Sequence, residues 1–483
     1  MAESEFNWLV AAPFISLSTT GFLVLLVGLI FPKLKRGGLW PLMLAGFGVA
    51  FVFATAGWGE SQQAFNNMLV GDMFSTAFCC IFILGGALTL LFSLNEIENQ
   101  YIIYPDYFSL IAFATAGMTL MASSSHLLII FLGLETLSIA LYVLVGCKRG
   151  NQFSLEASFK YFLLGAFASG FLLYGIALIY GATGSMHLEI IGELTAQNDL
   201  ADSTMLISGI LLLFVGLGFK IAIFPFHMWA PDVYEGAPTP ISAFMATGSK
   251  AAGFAALLRL FSSIDILSIE MARDMIWVMA VASIILGNII ALKQTNVKRM
   301  LAYSSIAHAG YLLIGVLANN QVGLSSLTFY LLVYAFMNIG AFGVISYIST
   351  SEREMLSFDD FKALAYTRPF AAAAMAIFLF SLAGVPPTAG FMAKFYIFSA
   401  GVKAGYIWLS ILAVTGSMIS LYYYLGLVVK MFMVEEEPLP GKVGSQQGLV
   451  GLALGVACGA VIALGLFPSR WIDVFHEMAR SLM

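Results

Sequence analysis

The sequence predicts an all-α polytopic membrane protein, a single bundle of about fourteen transmembrane helices of about 20 residues each. Three observations predict it. The chain is 60% apolar and only 10% charged, whereas soluble domains carry about 25% charged residues. Its mean hydropathy is +0.92 over 483 residues, more apolar surface than a soluble fold of that length can hide. Apolar runs long enough to cross a bilayer also follow one another along the chain, with short loops between them.

The runs lie near 8–31, 39–58, 73–94, 106–122, 125–147, 158–181 and 205–226, then near 238–260, 274–293, 299–317, 325–349, 370–400, 405–433 and 448–467. They divide into spans 1–3 (residues 1–100), spans 4–8 (101–262), spans 9–13 (263–433), and span 14 with a short tail (434–483). Several function classes fall away at this stage. The net charge of −5 offers no basic face for nucleic acid. Cys79, Cys80, Cys147 and Cys458 lie in or beside apolar runs without metal-ligand spacing, so they read as small core residues and no metal site is expected. No dinucleotide, phosphate-loop or haem-attachment motif is present, so this chain is expected to bind no cofactor and to do no redox chemistry itself. The opening MAESEFNWLVAAPF lacks the basic leader of a signal peptide.

The placement of Lys and Arg sets the expected orientation. One set of alternate loops holds Lys33, Lys35, Arg36, Lys148, Arg149, Lys160, Lys293, Lys298, Arg299, Arg353, Lys362, Arg368, Lys430 and Lys442. The other holds only Arg259, Arg273, Lys403, Arg470 and Arg480. The loop at 182–204 carries Glu189, Glu193, Asp199 and Asp202 with no basic residue. Both termini are therefore expected on the side away from the cytoplasm.

Four isolated charges remain inside spans: Glu135, Lys220, Lys250 and Lys394. An ionisable group at the bilayer centre costs about 2.5–3.5 kcal/mol, so four cost on the order of 10 kcal/mol. That is comparable with the whole stability of a domain. Such groups pair, face the protein interior, or line water. A structural ion pair accounts for one lysine with Glu135 and leaves two lysines unpaired. A buried amine that can lose its proton is a proton carrier. His308, in YSSIAHAGYLLIG, is also mid-span; it reads either as a hydrogen-bonded core residue or as a relay.

Two of these lysines sit near prolines that interrupt a helix. In LGFKIAIFPFHMWAPDVYEGAPTP, residues 217–240, Pro225 follows Lys220. In SLAGVPPTAGFMAKFYIFSA, Pro386 and Pro387 precede Lys394. These are spans 7 and 12, separated by an odd shift that reverses direction. Discontinuous helices of opposite direction are the signature of an inverted repeat, here two five-helix units, spans 4–8 and 9–13. Broken backbone at membrane depth is tolerated where it is buried or lines water.

These stretches also carry a resemblance. FKIAIFPFHMWAPDVYEGAPTPISAFMATGSKAAGF, FLGLETLSIALYVL, NVKRMLAYSSIAHAGYLLIG and SLAGVPPTAGFMAKFYIF resemble, in the same order, the proton-translocating membrane subunits of respiratory complex I. That family includes subunits of multisubunit cation/proton antiporters and membrane-bound hydrogenases, which stand as the alternative reading. The resemblance covers residues 70–435 most strongly. Lys250 in span 8 and the loop FDDFKALAYTRPF are similar to the branch without a long lateral helix, and the chain is expected to stop soon after span 14. The resemblance implies a translocase subunit of an NADH–quinone oxidoreductase, with FMN, iron–sulfur clusters and quinone held by partner subunits. It implies as partners the other membrane subunits, especially a neighbouring antiporter-like subunit and the small membrane subunits, together with lipid. A bacterial inner membrane is expected, since no presequence appears, with a plastid-encoded chain as the alternative. The resemblance also implies roles: Glu135 as the glutamate that modulates its lysine, Lys220 as that lysine, Lys250 as the connector, and Lys394 as the group nearest the exit.

Overall fold

The computed structural model describes residues 7–31, 38–100, 104–197, 203–350, 354–434 and 447–482. Lys33, Lys35, Arg36, Asp199, Asp202, Arg353 and Lys442 lie outside the described residues.

The first helices are α1 (Trp8–Ile30), α2 (Trp40–Ala56), α3 (Met73–Gln100), α4 (Tyr104–Ser123), α5 (Leu127–Val145) and α6 (Gln152–Thr183). A short α7 (Leu188–Gln197) precedes α8 (Thr204–Ile221) and α9 (Trp229–Gly236). α10 (Thr239–Phe244) runs through a π-helical turn, Met245–Ser249, into α11 (Lys250–Ser263). Then come α12 (Glu270–Ala291), α13 (Val297–Ala318), α14 (Gln321–Ile348), the short α15 (Leu364–Thr367), α16 (Pro369–Ala383), α17 (Ala389–Lys403), α18 (Ile407–Met433), α19 (Gln447–Leu466) and α20 (Pro468–Leu482). Among the described residues eleven helices are long and apolar enough to cross a membrane. With α2, α4 and the α16–α17 pair they match the expected crossings one for one.

Several features were not foreseen, the π turn and α7 among them. A hairpin, β1 (Gln62–Ala64) with β2 (Leu69–Gly71), joins α2 to α3. Its corner needs a left-handed backbone at Phe65, Asn66 and Asn67, and Asn tolerates that conformation. The expected short tail contains α20, an amphipathic helix that lays Ile472, Phe475 and Met478 against the bundle.

Burial is uneven, and that places the core. Nearly every residue of the span built from α10, the π turn and α11, of α13 and of α14 is buried. By contrast α1, α6 and α18 are each 33% buried, leaving one stripe inward and the rest for lipid or partner subunits. Small residues set the close approaches. A Cβ on Gly117 would lie 2.5 Å from the Gly133 carbonyl, fixing α4 on α5, and one on Gly310 would lie 2.8 Å from the Ala280 carbonyl, fixing α13 on α12.

Both proline-bearing spans are broken. α8 ends with Ala222 in the left-handed conformation (φ 56°), and helix resumes at Trp229. α16 ends at Gly384 (φ 84°), and helix resumes at Ala389. Cis peptides lie at Phe224–Pro225 and at Pro386–Pro387.

Arg259 departs from the loop position expected for it. It lies on α11, only 6% exposed. It forms a two-point ion pair with Asp72, at 2.6 and 2.7 Å. Lys148 and Lys298, also expected in solvated loops, are buried too. The physical reason is the same for the first two: a carboxylate from α3 or its start meets each cation, and sequence spacing does not reveal that pairing.

Candidate functional site

Lys220 occupies the last turn of α8, immediately before the break. Its Nζ donates to the Ser138 hydroxyl at 2.9 Å and the Tyr161 hydroxyl at 3.4 Å. Glu135 stands one turn before Ser138 on α5 and accepts a hydrogen bond from Ser169 of α6. Glu135 and Lys220 are thus brought to one place without an ion pair between them. A small cavity lined by Ser138, Ser169, Gly216 and Lys220 lies at this junction. Leu134, Ala168, Leu172 and Phe219 make most of the rest of its wall, so the cavity is mostly apolar.

The backbone freed by the first break is satisfied locally. The Phe224 amide donates to Ser283 of α12 at 2.9 Å, and the Trp229 indole donates to the Phe219 carbonyl at 3.0 Å. The half-helix α9 is held by ions. Asp232 bridges Lys160 of α6 (2.9 Å) and Arg299 of α13 (2.7 Å), and Arg299 also meets Glu235 at 2.8 Å.

Lys250 is the first residue after the π turn, 1% exposed. A π turn is a costly local geometry that recurs at functional positions. Its Nζ donates to the carbonyl and hydroxyl of Ser305, both at 2.5 Å, and lies 6.0 Å from the centroid of the Tyr334 ring. Gly253, one turn further along α11, lets α8 approach: a Cβ there would lie 2.5 Å from Cγ2 of Ile221, the neighbour of Lys220.

His308 is 1% exposed on α13. Its Nδ1 shares a 2.7 Å hydrogen bond with the Tyr330 hydroxyl. Its ring lies 5.1 Å from that of Tyr334 and 5.5 Å from that of Tyr311. Lys394 then lies 5.5 Å from the Tyr311 ring on its own side. Tyr334 and Tyr311 therefore join Lys250, His308 and Lys394 into one series.

Lys394 sits on α17, after the second break, and its Nζ reaches back across it. It donates to the carbonyls of Leu382 (2.8 Å) and Ala383 (3.0 Å) and to the Ser417 hydroxyl (2.8 Å). Those carbonyls end α16, where the helix dipole is negative and the last carbonyls lack partners. The two breaks are not equivalent: Lys220 bonds side chains, whereas Lys394 caps a half-helix.

Among the described residues no cluster of His, Cys, Asp and Glu could hold a metal ion. The tyrosines and serines that link the amines carry no charge and no special spacing, so the sequence reading did not single them out. It also missed a charged group at the far end of α3, where Glu96 pairs with the buried Lys148 at 2.6 Å.

Residues 124–420 match the profile of the NADH:quinone oxidoreductase/Mrp antiporter transmembrane family. The chain belongs to this family. Like it are the proteins named NADH-quinone oxidoreductase subunit N from Trichlorobacter lovleyi, 46% identical over 99% of this chain and 98% of that one, and subunit N 2 from Roseiflexus castenholzii, 42% identical over 98% and 96%. A chain of respiratory complex I from Thermus thermophilus superposes with a TM-score of 0.81 at 35% identity, covering 95% of this chain and 98% of that one. A chain of the Mrp complex from Dietzia shares the fold, with a TM-score of 0.83 at 22% identity. This member of the NADH:quinone oxidoreductase/Mrp antiporter family thus presents Glu135 and its three buried amines, Lys220, Lys250 and Lys394, inside the matched region.

Proposed function

We propose that the chain is the N subunit of a bacterial NADH–quinone oxidoreductase and moves protons through Glu135, Lys220, Lys250, His308 and Lys394. The reading is carried by one observation. Lys250, Tyr334, His308, Tyr311 and Lys394 follow one another at 5.1–6.0 Å through the interior, and α8, which carries Lys220, packs on α11, which carries Lys250. The full-length likeness to proteins named subunit N supports the same conclusion.

Moving one proton against about 200 mV costs about 4.6 kcal/mol, at 2.3 kcal/mol per 100 mV. A carboxylate and an ammonium brought to about 4 Å interact by about 4 kcal/mol at an effective dielectric of 20. Making and releasing a Glu135–Lys220 contact is therefore a change of the right size. With the contact closed, Lys220 keeps its proton. With Glu135 drawn back to Ser169, the Nζ–H bond breaks and the proton passes by water to the neutral amine of Lys250, then by His308 to that of Lys394. The force comes from redox events in other subunits, which hold the FMN, iron–sulfur clusters and quinone. Neighbouring antiporter-like and small membrane subunits, and lipid, cover the peripheral helices.

The two breaks support an inverted repeat, spans 4–8 (101–262) against spans 9–13 (263–433), inside a single bundle of residues 1–483. The likeness to bacterial subunit N proteins supports a bacterial inner membrane location, and the excess of basic residues in one set of loops supports both termini on the periplasmic side. A stand-alone cation antiporter is the competing class. It needs unwound carbonyls for its ion, and those at the second break are taken by the Lys394 ammonium.

The test is to purify the native assembly and reconstitute it in liposomes. The chain is expected within a large quinone-reducing complex, with a lower proton-to-electron ratio in Glu135→Gln and Lys220→Met. Recovery of the chain alone, or an unchanged ratio in both variants, overturns the reading.

A further inference from the structure

We propose that Glu96 and Lys298 are positioning residues for Lys250, gripping both sides of the corner at residues 237–239. The proposal rests on the role given to Lys250 above. The corner links α9 to α10, so it sets where the span carrying Lys250 begins.

Lys298 is fully buried, and its Nζ donates to the Ala237 carbonyl at 2.6 Å. Glu96, 7% exposed, accepts the Thr239 amide at 3.3 Å and the Lys148 ammonium at 2.6 Å on the same oxygen. Lys148 also pairs with Glu354. The second oxygen of Glu96 is buried with no partner among the described residues. The corner thus gives its carbonyl to a cation of α13 and its amide to an anion of α3. Ala237 and Thr239 ask only for a neutral donor and a neutral acceptor; full charges buried here are more than a loop needs to be capped.

The register of α13 says what the charges hold. Lys298 and Ser305 are seven residues apart, two helical turns, and so share a face. Ser305 accepts Lys250 through both its carbonyl and its hydroxyl. One face of α13 therefore fixes α10 and the π turn at both ends, at the corner through Lys298 and at the Lys250 ammonium through Ser305. If the corner slips, the π turn is the weak link between the two fixed points, and the ammonium is what moves.

The test uses the whole reconstituted complex with Lys298→Met, Lys298→Arg and Glu96→Gln, and Lys220→Met beside them. Two quantities are read: amide hydrogen exchange in peptides covering 237–250 and the proton-to-electron ratio. Lys298→Met and Glu96→Gln are expected to speed exchange in 237–250 on the order of ten-fold, with peptides covering 389–403 unchanged, and to lower the ratio. Lys298→Arg, which still donates to the Ala237 carbonyl, is expected to restore both. Glu96→Gln keeps the shape and an acceptor for Thr239, so it carries the test if Lys298→Met does not assemble. Exchange and ratio like those of the unsubstituted complex in Glu96→Gln, or absence of rescue by Lys298→Arg, overturns the proposal. Failure of both Lys298→Met and Glu96→Gln to assemble also overturns it, making the charges a folding element. If Lys220→Met leaves the ratio unchanged, the proton reading fails, while the exchange data still decide the grip on the corner.

Discussion

Lys394 shows how one side chain makes a broken helix tolerable. The end of α16 leaves carbonyls that an unbroken helix would have used, and the ammonium takes two of them. Lys394→Met removes that donor; the Ala383 carbonyl keeps the Ser417 hydroxyl at 3.3 Å, and the Leu382 carbonyl loses the ammonium, at a cost of about 1–3 kcal/mol. The expected outcome is a lower thermal midpoint for the detergent-solubilised assembly, largely recovered by Lys394→Arg. Gly384 is tied to the same point. Its φ of 84° and a Cβ position 3.0 Å from Cδ of Lys394 predict that Gly384→Ala costs at least about 1–2 kcal/mol, read by the same thermal shift. The four amine and carboxylate positions were legible in the sequence because a lone charge in an apolar run is conspicuous. Their partners were not. Ser138, Tyr311 and Ser417 become partners only when three distant helices meet, and Ser138 rather than Glu135 holds the Lys220 ammonium.

At the scale of elements, each break is held partly within its own span, by Trp229 on Phe219 and by Lys394 on Leu382 and Ala383, and partly by groups from other helices. Ser283 of α12 accepts the Phe224 amide at the first break, and Gly465 of α19 lies against Pro387 at the second, where a Cβ would fall 2.4 Å from the carbonyl. Ser283→Ala leaves the Phe224 amide without its acceptor, at about 1–3 kcal/mol. Faster amide exchange confined to peptides covering 222–228 is the expected outcome. A uniform rise across the bundle would contradict it. The breaks themselves were legible from Pro225 and from Pro386 with Pro387. The π turn was not, since MATGS carries no breaker beyond a glycine and the extra residue shows only in how the turn packs. The β1–β2 hairpin escaped notice for a similar reason: six strand residues are too few for an alternating pattern to register.

Across the whole molecule, α3 is pinned by charge at both ends, by Asp72 with Arg259 at its start and by Glu96 with Lys148 near its finish. Between them α3 carries no charged residue. Burial pushes the Asp72 carboxyl up, but the Arg259 guanidinium and the Ser75 hydrogen bonds outweigh it and hold the group below its ordinary value of 3.8. A carboxyl depressed by folding stabilises fully above its unfolded value and loses that contribution as pH falls through the folded one. Arg259→Met strands Asp72 and is expected to cost about 3–5 kcal/mol. Without Arg259 the burial that pushes Asp72 up is opposed only by the Ser75 hydrogen bonds, so the loss of thermal stability should be largest at neutral pH and above and should shrink as acid protonates the stranded carboxyl. The bundle, its crossings and the two breaks could be read from composition and prolines. The burial of Arg259, Lys148 and Lys298 could not, because a cation at a span end is indistinguishable in sequence from one in water.

The account stands or falls on whether protons pass the middle of the bundle, where Lys250 is bonded to Ser305 and no carboxylate pairs with it among the described residues. The most direct measurement is the proton-to-electron ratio of the reconstituted Lys250→Met complex, at quinone-reduction rates matched to the unsubstituted enzyme. A lower ratio in a fully assembled complex is the predicted result. An unchanged ratio would mean that the amine only packs, and would contradict the account.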